Sequence, residues 1–233
     1  MIFLYVNFIN DLMKKENTKT KNKQSLIFNG KTFMKPAVML LVLLLIPSIY
    51  SQPKSDFILT PCYGSDILNS QSSEADLIKI VGKKNVERVE RWYDEGTERV
   101  VGSVFFKDTP SYFFIKWKDT VNFKYPEWLE IHGDNSVWTL ANGVKIGTTL
   151  PELVKLNGKA FTFTGFDWDY GGYATFEKGK LENDCYSIRL YYDYKDLFEN
   201  EWNQIVGDKI ISTNNPVLKK VNVYVDEIIF YFK

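Results

Sequence analysis

The stretch Gly165-Phe-Asp-Trp-Asp-Tyr-Gly-Gly172 packs more side-chain chemistry into eight residues than any other part of the chain. Asp167, Asp169 and Gly171 have the spacing that opens a calcium loop, but the twelfth position from Asp167 is Lys178, where such a loop needs a bidentate Glu. An EF-hand is therefore excluded. Phe161 and Phe163 take odd positions and Phe166, Trp168 and Tyr170 even ones, so the spacing predicts a bulge at Gly165 that resets the pleat. The even aromatics would then face the core, and Asp167 and Asp169 would face water. Tyr and Trp bury large areas at low entropic cost, which suits them to binding hot spots. They also stack on sugar rings or fill cores. On this basis Trp92, Tyr93, Asp167, Trp168, Asp169, Tyr170 and Tyr173 are the candidate binding residues.

The catalytic inventory is thin. His132 is the only histidine, which excludes zinc sites built on two or more imidazoles; it follows Leu129-Glu-Ile and reads as a surface residue. No nucleophile elbow, Walker loop or dinucleotide glycine pattern occurs. Asp94 with Glu95, and Asp167 with Asp169, read as solubilising turn residues. A hydrolase would need a buried carboxylate pair within about 10 Å across a cleft. No catalytic residue, metal or cofactor is assigned, and the chain is read as a non-enzyme. Cys62 and Cys185 permit a single disulfide, and the sequence leaves open whether the two meet.

Self-comparison supplies the elements that would position these residues. A shift of 76 lays Ser72 to Lys83 over Thr148 to Lys159, pairing Asp76 with Glu152, Leu77 with Leu153, Lys79 with Lys155 and Gly82 with Gly158. It also carries Trp92 onto Trp168 and Gly96 onto Gly172. Such periodicity marks a tandem duplication. Thr149-Leu-Pro-Glu152 is a capping box with Pro in the first turn, and Gly158 supplies the stop. Ser73 to Asp76 and Gly82 repeat both signals. Each copy thus opens with a helix of two to three turns, too short to stand alone.

The remainder alternates as β-sheet. Tyr186, Ile188, Leu190 and Tyr192 share one face of a strand. Val100, Gly102, Val104 and Phe106 form another stripe, as do Phe113, Ile115 and Trp117. Leu129 with Ile131, then Trp138 with Leu140, extend the first unit, and Asn142-Gly143 signals a type I′ hairpin that joins the copies. Val221, Val223 and Val225 lead into a last strand over Ile228 to Phe232, with a slip at Asp226-Glu227. A further helix is expected over Asp196–Val206, ended by Gly207. The predicted fold class is α+β: two tandem units at 52–141 and 142–233, each a short capped helix packed on an antiparallel β-sheet.

Composition bounds the rest. The chain has 233 residues, 45% hydrophobic and 25% charged, which fits a globular protein and not disorder or a coiled coil. Ala37 to Ile46 is an unbroken apolar run after Lys35, shorter than the roughly 20 residues that span a bilayer. With small residues before Gln52 it reads as a secretory signal cut after Ser51. Residues 1–33 fit no part of it and read as a start-site artefact or long n-region; Met34 opens the signal peptide at 34–51. Seven of the 29 bases and two of the 29 acids precede Gln52, which leaves 22 against 27 and a net charge of −5. No basic stripe marks a nucleic-acid partner. Cys62 follows Pro61 and lies 16 positions past the apolar run, so it is not read as lipidated, and the mature chain has no transmembrane anchor.

Gly147-Thr-Thr-x-x-Glu152-Leu153 with Gly158 resembles the Gly-Met-Thr-x-x-Gln/Glu-Val…Leu-Gly motif of small outer-membrane assembly lipoproteins and of the beta-lactamase-inhibitor-protein repeat. Gln71 stands at the corresponding glycine of the first copy. That resemblance implies short helices on an antiparallel sheet, doubled in the inhibitor. The stretch Asn157 to Gly172 is also similar to uncharacterised exported proteins of Gram-negative bacteria, which implies a periplasmic or extracellular location. The expected function is a non-catalytic module that binds another envelope or extracellular protein; the alternative is a carbohydrate or small-ligand binding protein.

Overall fold

Two eight-residue helices stand 76 positions apart, as the repeat predicts: α1 (Glu74–Val81) and α2 (Leu150–Asn157). The computed structural model describes residues 55–193 and 197–233; the expected leader and signal lie outside them. Ser73 caps α1 by accepting from the Asp76 amide and donating to its carboxylate at 2.7 Å. At α2 the Glu152 carboxylate accepts from both the Thr149 amide, 2.9 Å, and its hydroxyl, 2.8 Å. Gly82 and Gly158 end the helices at φ of 85° and 80°. Each helix is then hooked to one long strand. The Tyr125 amide donates to Ser72 O ahead of α1, and the Val225 amide donates to Thr148 O ahead of α2.

The strands in chain order are β1 (Ile58–Leu59), β2 (Val86–Tyr93), β3 (Glu98–Phe105), β4 (Phe113–Asp119), β5 (Lys124–His132), β6 (Thr139–Leu140), β7 (Thr162–Thr164), β8 (Ala174–Thr175), β9 (Tyr186–Asp193), β10 (Ile210–Ser212) and β11 (Asn222–Tyr231), with a one-turn helix α3 (Glu199–Trp202) before β10. Six of them form an antiparallel sheet in the order β2-β3-β4-β5-β11-β9, so the last strand in sequence is an interior one, between β5 and the edge strand β9. A three-stranded sheet, β10-β7-β8, and a parallel pair, β1 with β6, complete the α+β architecture. Residues opposite each other share a face. Phe105 with Phe113, Ile115 with Leu129, Ile131 with Ile228 and Leu129 with Phe230 thus turn to one side, into a core that also takes Leu77 and Leu153. Under the start of α1 the buried Glu74 carboxylate accepts from Ser103 and from Arg88, and the Trp117 indole donates to the Ser103 hydroxyl.

Several local expectations change. Asn142-Gly143 does not form a type I′ turn. Leu140 and Val144 flank a three-residue loop in which, of Ala141, Asn142 and Gly143, only Gly143 has positive φ, the arrangement of three-residue hairpins. Trp138 precedes β6, whose Thr139 and Leu140 pair with β1 instead of extending the large sheet. The helix expected over 196–206 shrinks to Glu199–Trp202, because the chain then turns so that Val206 pairs beside Phe166; Asp196 lies outside the described residues. Phe106 leaves its stripe at a φ of 51°, which ends β3. At Gly165 the resetting device is strand termination: its amide donates to Lys209 O, and a Cβ there would meet Gly207 O at 2.4 Å. The slip in the last strand is present as a bulge between Val225 and Glu227.

Cys62 and Cys185 are bonded, their Cα atoms 5.0 Å apart across 123 residues of chain. The bridge lies at the end of β11, where the Tyr231 amide donates to Cys185 O and the Lys233 amide to Cys62 O. A disulfide closing so long a loop stabilises by about 2–5 kcal/mol. Thermal unfolding of a Cys62→Ser/Cys185→Ser variant should therefore give a midpoint roughly 4–20 °C below wild type. Reductant should lower the wild-type midpoint and leave the variant unmoved.

Candidate functional site

Opposite the core, the six-stranded sheet presents a second face with a small cluster of Val100, Val104 and Phe114. Gly102 lies in this face, and a Cβ there would meet the Phe114 ring at 2.5 Å, so the missing side chain lets the ring lie flat on β3. The Arg91 guanidinium sits 4.2 Å over that ring. Register then sets two carboxylates on neighbouring strands. Glu130 stands opposite Ile229, and Glu227 opposite His132, which makes the two acids diagonal neighbours, roughly 7–8 Å apart at Cα. The bulge before Glu227 is what turns it to this face.

The two acids have different surroundings. Glu130 is buried and saturated: Arg91 Nη1 donates to it at 2.6 Å and the Tyr93 hydroxyl at 2.8 Å. Arg91 also donates to the Tyr112 hydroxyl. Burial pulls the Arg91 guanidinium down, but its tyrosine contacts and the Glu130 charge outweigh this and raise it. Burial, then the Glu130 charge, push the Tyr93 phenol well above its usual value. Among the described residues, Glu227 accepts only from the Tyr173 hydroxyl, at 3.5 Å. Burial, with Glu130 as the next cause, raises Glu227 to about 7, although Arg189 opposes the shift from the opposite position on β9. Arg189 is itself held elsewhere: its Nε donates to Gly171 O at 2.9 Å and Nη2 reaches Asp169 O at 3.5 Å.

Two loops rise over this floor as lips. One is the β2–β3 turn, where Asp94 and Glu95 have positive φ of 52° and 55°. Both residues at positive φ with a Gly96 N to Tyr93 O bond make this a type I′ turn, in the first hairpin and not at Asn142. The other is the loop from Asp167 to Gly172. The Tyr170 hydroxyl donates to Asp94 Oδ1 and joins the lips. That bond holds the Asp94 carboxyl below its ordinary range and pushes the Tyr170 phenol up to about 12. The space enclosed measures about 590 Å³, within the size range of ligand clefts.

Five of the seven candidate residues line this cleft: Trp92, Tyr93, Asp169, Tyr170 and Tyr173. Trp92 is 60% exposed and Tyr170 43%, so Tyr170 faces the cleft and not the core. Its turn outward follows from Asp167, whose φ of 64° breaks the strand alternation. Trp168 is likewise only half-buried, bonded to Gly165 O at 2.8 Å and stacked edge-on behind Tyr170 at 5.4 Å. Asp167 is outside the lining, where it accepts from the Tyr192 hydroxyl at 2.8 Å. Asp94 and Glu95 line the cleft as well. His132 packs its ring 4.3 Å from Tyr112, with Nε2 3.5 Å from Glu130. Sequence reading missed Glu130, Glu227, Arg91 and Arg189. The slip at Asp226-Glu227 was the one signal that could have pointed to Glu227.

A carboxylate pair is thus present, Glu130 buried and Glu227 partly so, but its members stand side by side on the floor and do not face each other across the cleft. Glu130 is also fully engaged. Among the described residues, no group of three or more His, Cys, Asp or Glu side chains converges to hold a metal. No described helix is long and apolar enough to cross a membrane. Glu227 yields a pH signature. Its folded value near 7 exceeds the ordinary 4.5, so the folded state retains a proton that the unfolded chain has lost. Stability should fall as pH rises from about 4.5 through 7, by about 3 kcal/mol in all. In thermal unfolding at pH 5 and pH 8, wild type should lose several degrees relative to Glu227→Gln; parallel profiles would refute the assignment.

Comparison with known proteins gives little. No family model matches the chain, and no curated protein matches it. Among solved structures it is similar to the crystal structure of the uncharacterised protein YfeY from Escherichia coli, at 13% identity and a TM-score of 0.42, over 74% of this chain and 98% of that one.

Proposed function

We propose that this is an exported, non-catalytic binding protein whose cleft takes up a small ligand. The observation that carries it is the cleft of about 590 Å³ walled by Tyr93, Tyr170 and Tyr173 over a polar floor. Ligand sites combine those features: concavity, aromatic walls and few converging polar groups. The disulfide favours an oxidising compartment, in keeping with a periplasmic or extracellular location.

In the same reading the chain is a tandem of two units akin to the beta-lactamase-inhibitor-protein repeat. Support comes from the matched helices and caps and from β5 and β11, which each hook the helix of one copy and pair with each other. Asp94 and Tyr170, joined across the cleft, are themselves 76 positions apart. A second reading, in which the cleft seats part of another envelope or extracellular protein, is favoured by the 43% exposure of Tyr170 on one lip.

A panel of glycans and small metabolites, titrated against intrinsic tryptophan fluorescence, tests the proposal. At least one class should saturate wild type and lose affinity at least tenfold in a Tyr170→Ala/Tyr173→Ala variant. Retained binding in the variant, or no binding to the folded wild type, would reject the cleft. A protein retained from envelope extract by wild type but not by the variant would favour the second reading.

A further inference from the structure

We infer that the free edge of β2 is a dimerisation surface, on which a second copy of this chain lays its own β2 antiparallel, about a two-fold axis at Val89. The inference is independent of what the cleft holds. β2 is one border of the six-stranded sheet and β9 the other. The border at β9 is covered in part: the Leu190 amide donates to Gly172 O, and Tyr173 bridges Arg189. β2 runs eight residues in unbroken register with β3, without the proline, lysine or bulge that ordinarily guards a sheet edge. The Phe106 amide donates to Asn85 O, so by alternation Glu87, Val89 and Arg91 turn their peptide groups toward β3. Arg88, Glu90 and Trp92 turn theirs outward, and among the described residues these groups have no partner.

The order Val86-Glu-Arg-Val-Glu-Arg-Trp92 names the occupant, because it is self-complementary about its midpoint. With Val89 of both copies on the axis, Arg88 stands opposite the partner's Glu90 and Glu87 opposite the partner's Arg91. Val86 stands opposite the partner's Trp92. Arg88 exchanges both backbone hydrogen bonds with the partner's Glu90, and each Trp92 amide donates to the Val86 carbonyl across the axis. Moving the axis to residue 88 or 90 also keeps outward groups opposed, but it sets Arg88 or Glu90 against its own copy, and like charges directly opposite repel. All four charges already have ion pairs within the chain, Arg88 with Glu74, Arg91 with Glu130, Glu90 with Arg99 and Glu87 with Lys107. They therefore choose the register, while backbone bonds and the covering of Trp92 supply the attraction. The Trp92 ring stands on the opposite face of the sheet from Tyr93 and is 60% exposed. A contact of one strand is small among interfaces, so the dimer should dissociate on dilution.

Sedimentation velocity of the full chain over a dilution series tests this. Wild type should pass from dimer to monomer. Glu90→Pro removes an outward donor and leaves the β2–β3 bonds in place; it should weaken the dimer at least tenfold, about 1.4 kcal/mol. Glu90→Arg keeps that donor and should weaken the dimer by facing the partner's Arg88. Circular dichroism checks the folding of both, and Glu90→Arg decides if Glu90→Pro does not fold. Mild oxidation reads the register. Val89→Cys should link two copies, since a non-hydrogen-bonded pair sets its Cα atoms about 4.5 Å apart. Glu87→Cys should not, because the two positions 87 lie about 14 Å apart along the strands. A monomer at every concentration, a folded Glu90→Arg dimer of wild-type affinity, or linking at Glu87→Cys as readily as at Val89→Cys overturns the inference. A monomer that captures an extended peptide of another protein overturns it as well, and leaves the edge to a foreign strand.

Discussion

The antiparallel pairing of β5 with β11 is the constraint on which the rest depends. It is the seam through which the four-stranded meander of β2 to β5 continues into the later strands, and its register decides which side chains share a face. Ile131 meets Ile228 on the core side, so Glu130 and Glu227 must come together on the other. The bulge at Asp226 makes this compatible with a buried first half of the strand: Val221, Val223 and Val225 face the core before it, and Ile228, Phe230 and Phe232 after it. Without the extra residue the second half would turn its apolar side chains to water.

Two acids brought together in a half-dry environment need compensation, and the neighbouring residues read as that compensation. Burying a carboxylate is tolerable when it is paired and bonded. Arg91 and Tyr93 do this for Glu130 from β2, three strands away across the sheet. They reach it because Gly102 and the flat Phe114 ring leave a shallow trough between. Nothing equivalent serves Glu227, and its raised affinity for a proton is the outcome. The asymmetry gives the floor one acid that is paired and one whose proton affinity is raised.

What the sequence disclosed and what it hid divide along the distance over which the responsible forces act. Caps, helix lengths, the alternation of β9 and the bulge in β11 are local and could be read from spacing. The pairing of Cys62 with Cys185 was permitted by arithmetic and decided only by three-dimensional proximity. The convergence of Glu130 and Glu227 depends on which strands become neighbours across nearly a hundred residues, and alternation carries no such information. Local rules also failed where a tertiary contact outweighed them. Tyr170 should have pointed inward by periodicity, but Asp167 adopts a positive φ and the ring swings out to meet Asp94. The expected long helix after Asp196 yields to the need of Phe166 to pair with the 205–207 segment. Trp92, Tyr93 and Tyr173 were legible as a set because large polar aromatics outnumbered the obvious core positions.

One strand, β11, serves three neighbours at once: β5 on one side, β9 on the other, and the entry to α2. Its pairing with β5 joins residues nearly a hundred positions apart, and contacts of such high order form slowly. Were β11 displaced, β5 and β9 would each present a row of unpaired backbone groups to any passing chain.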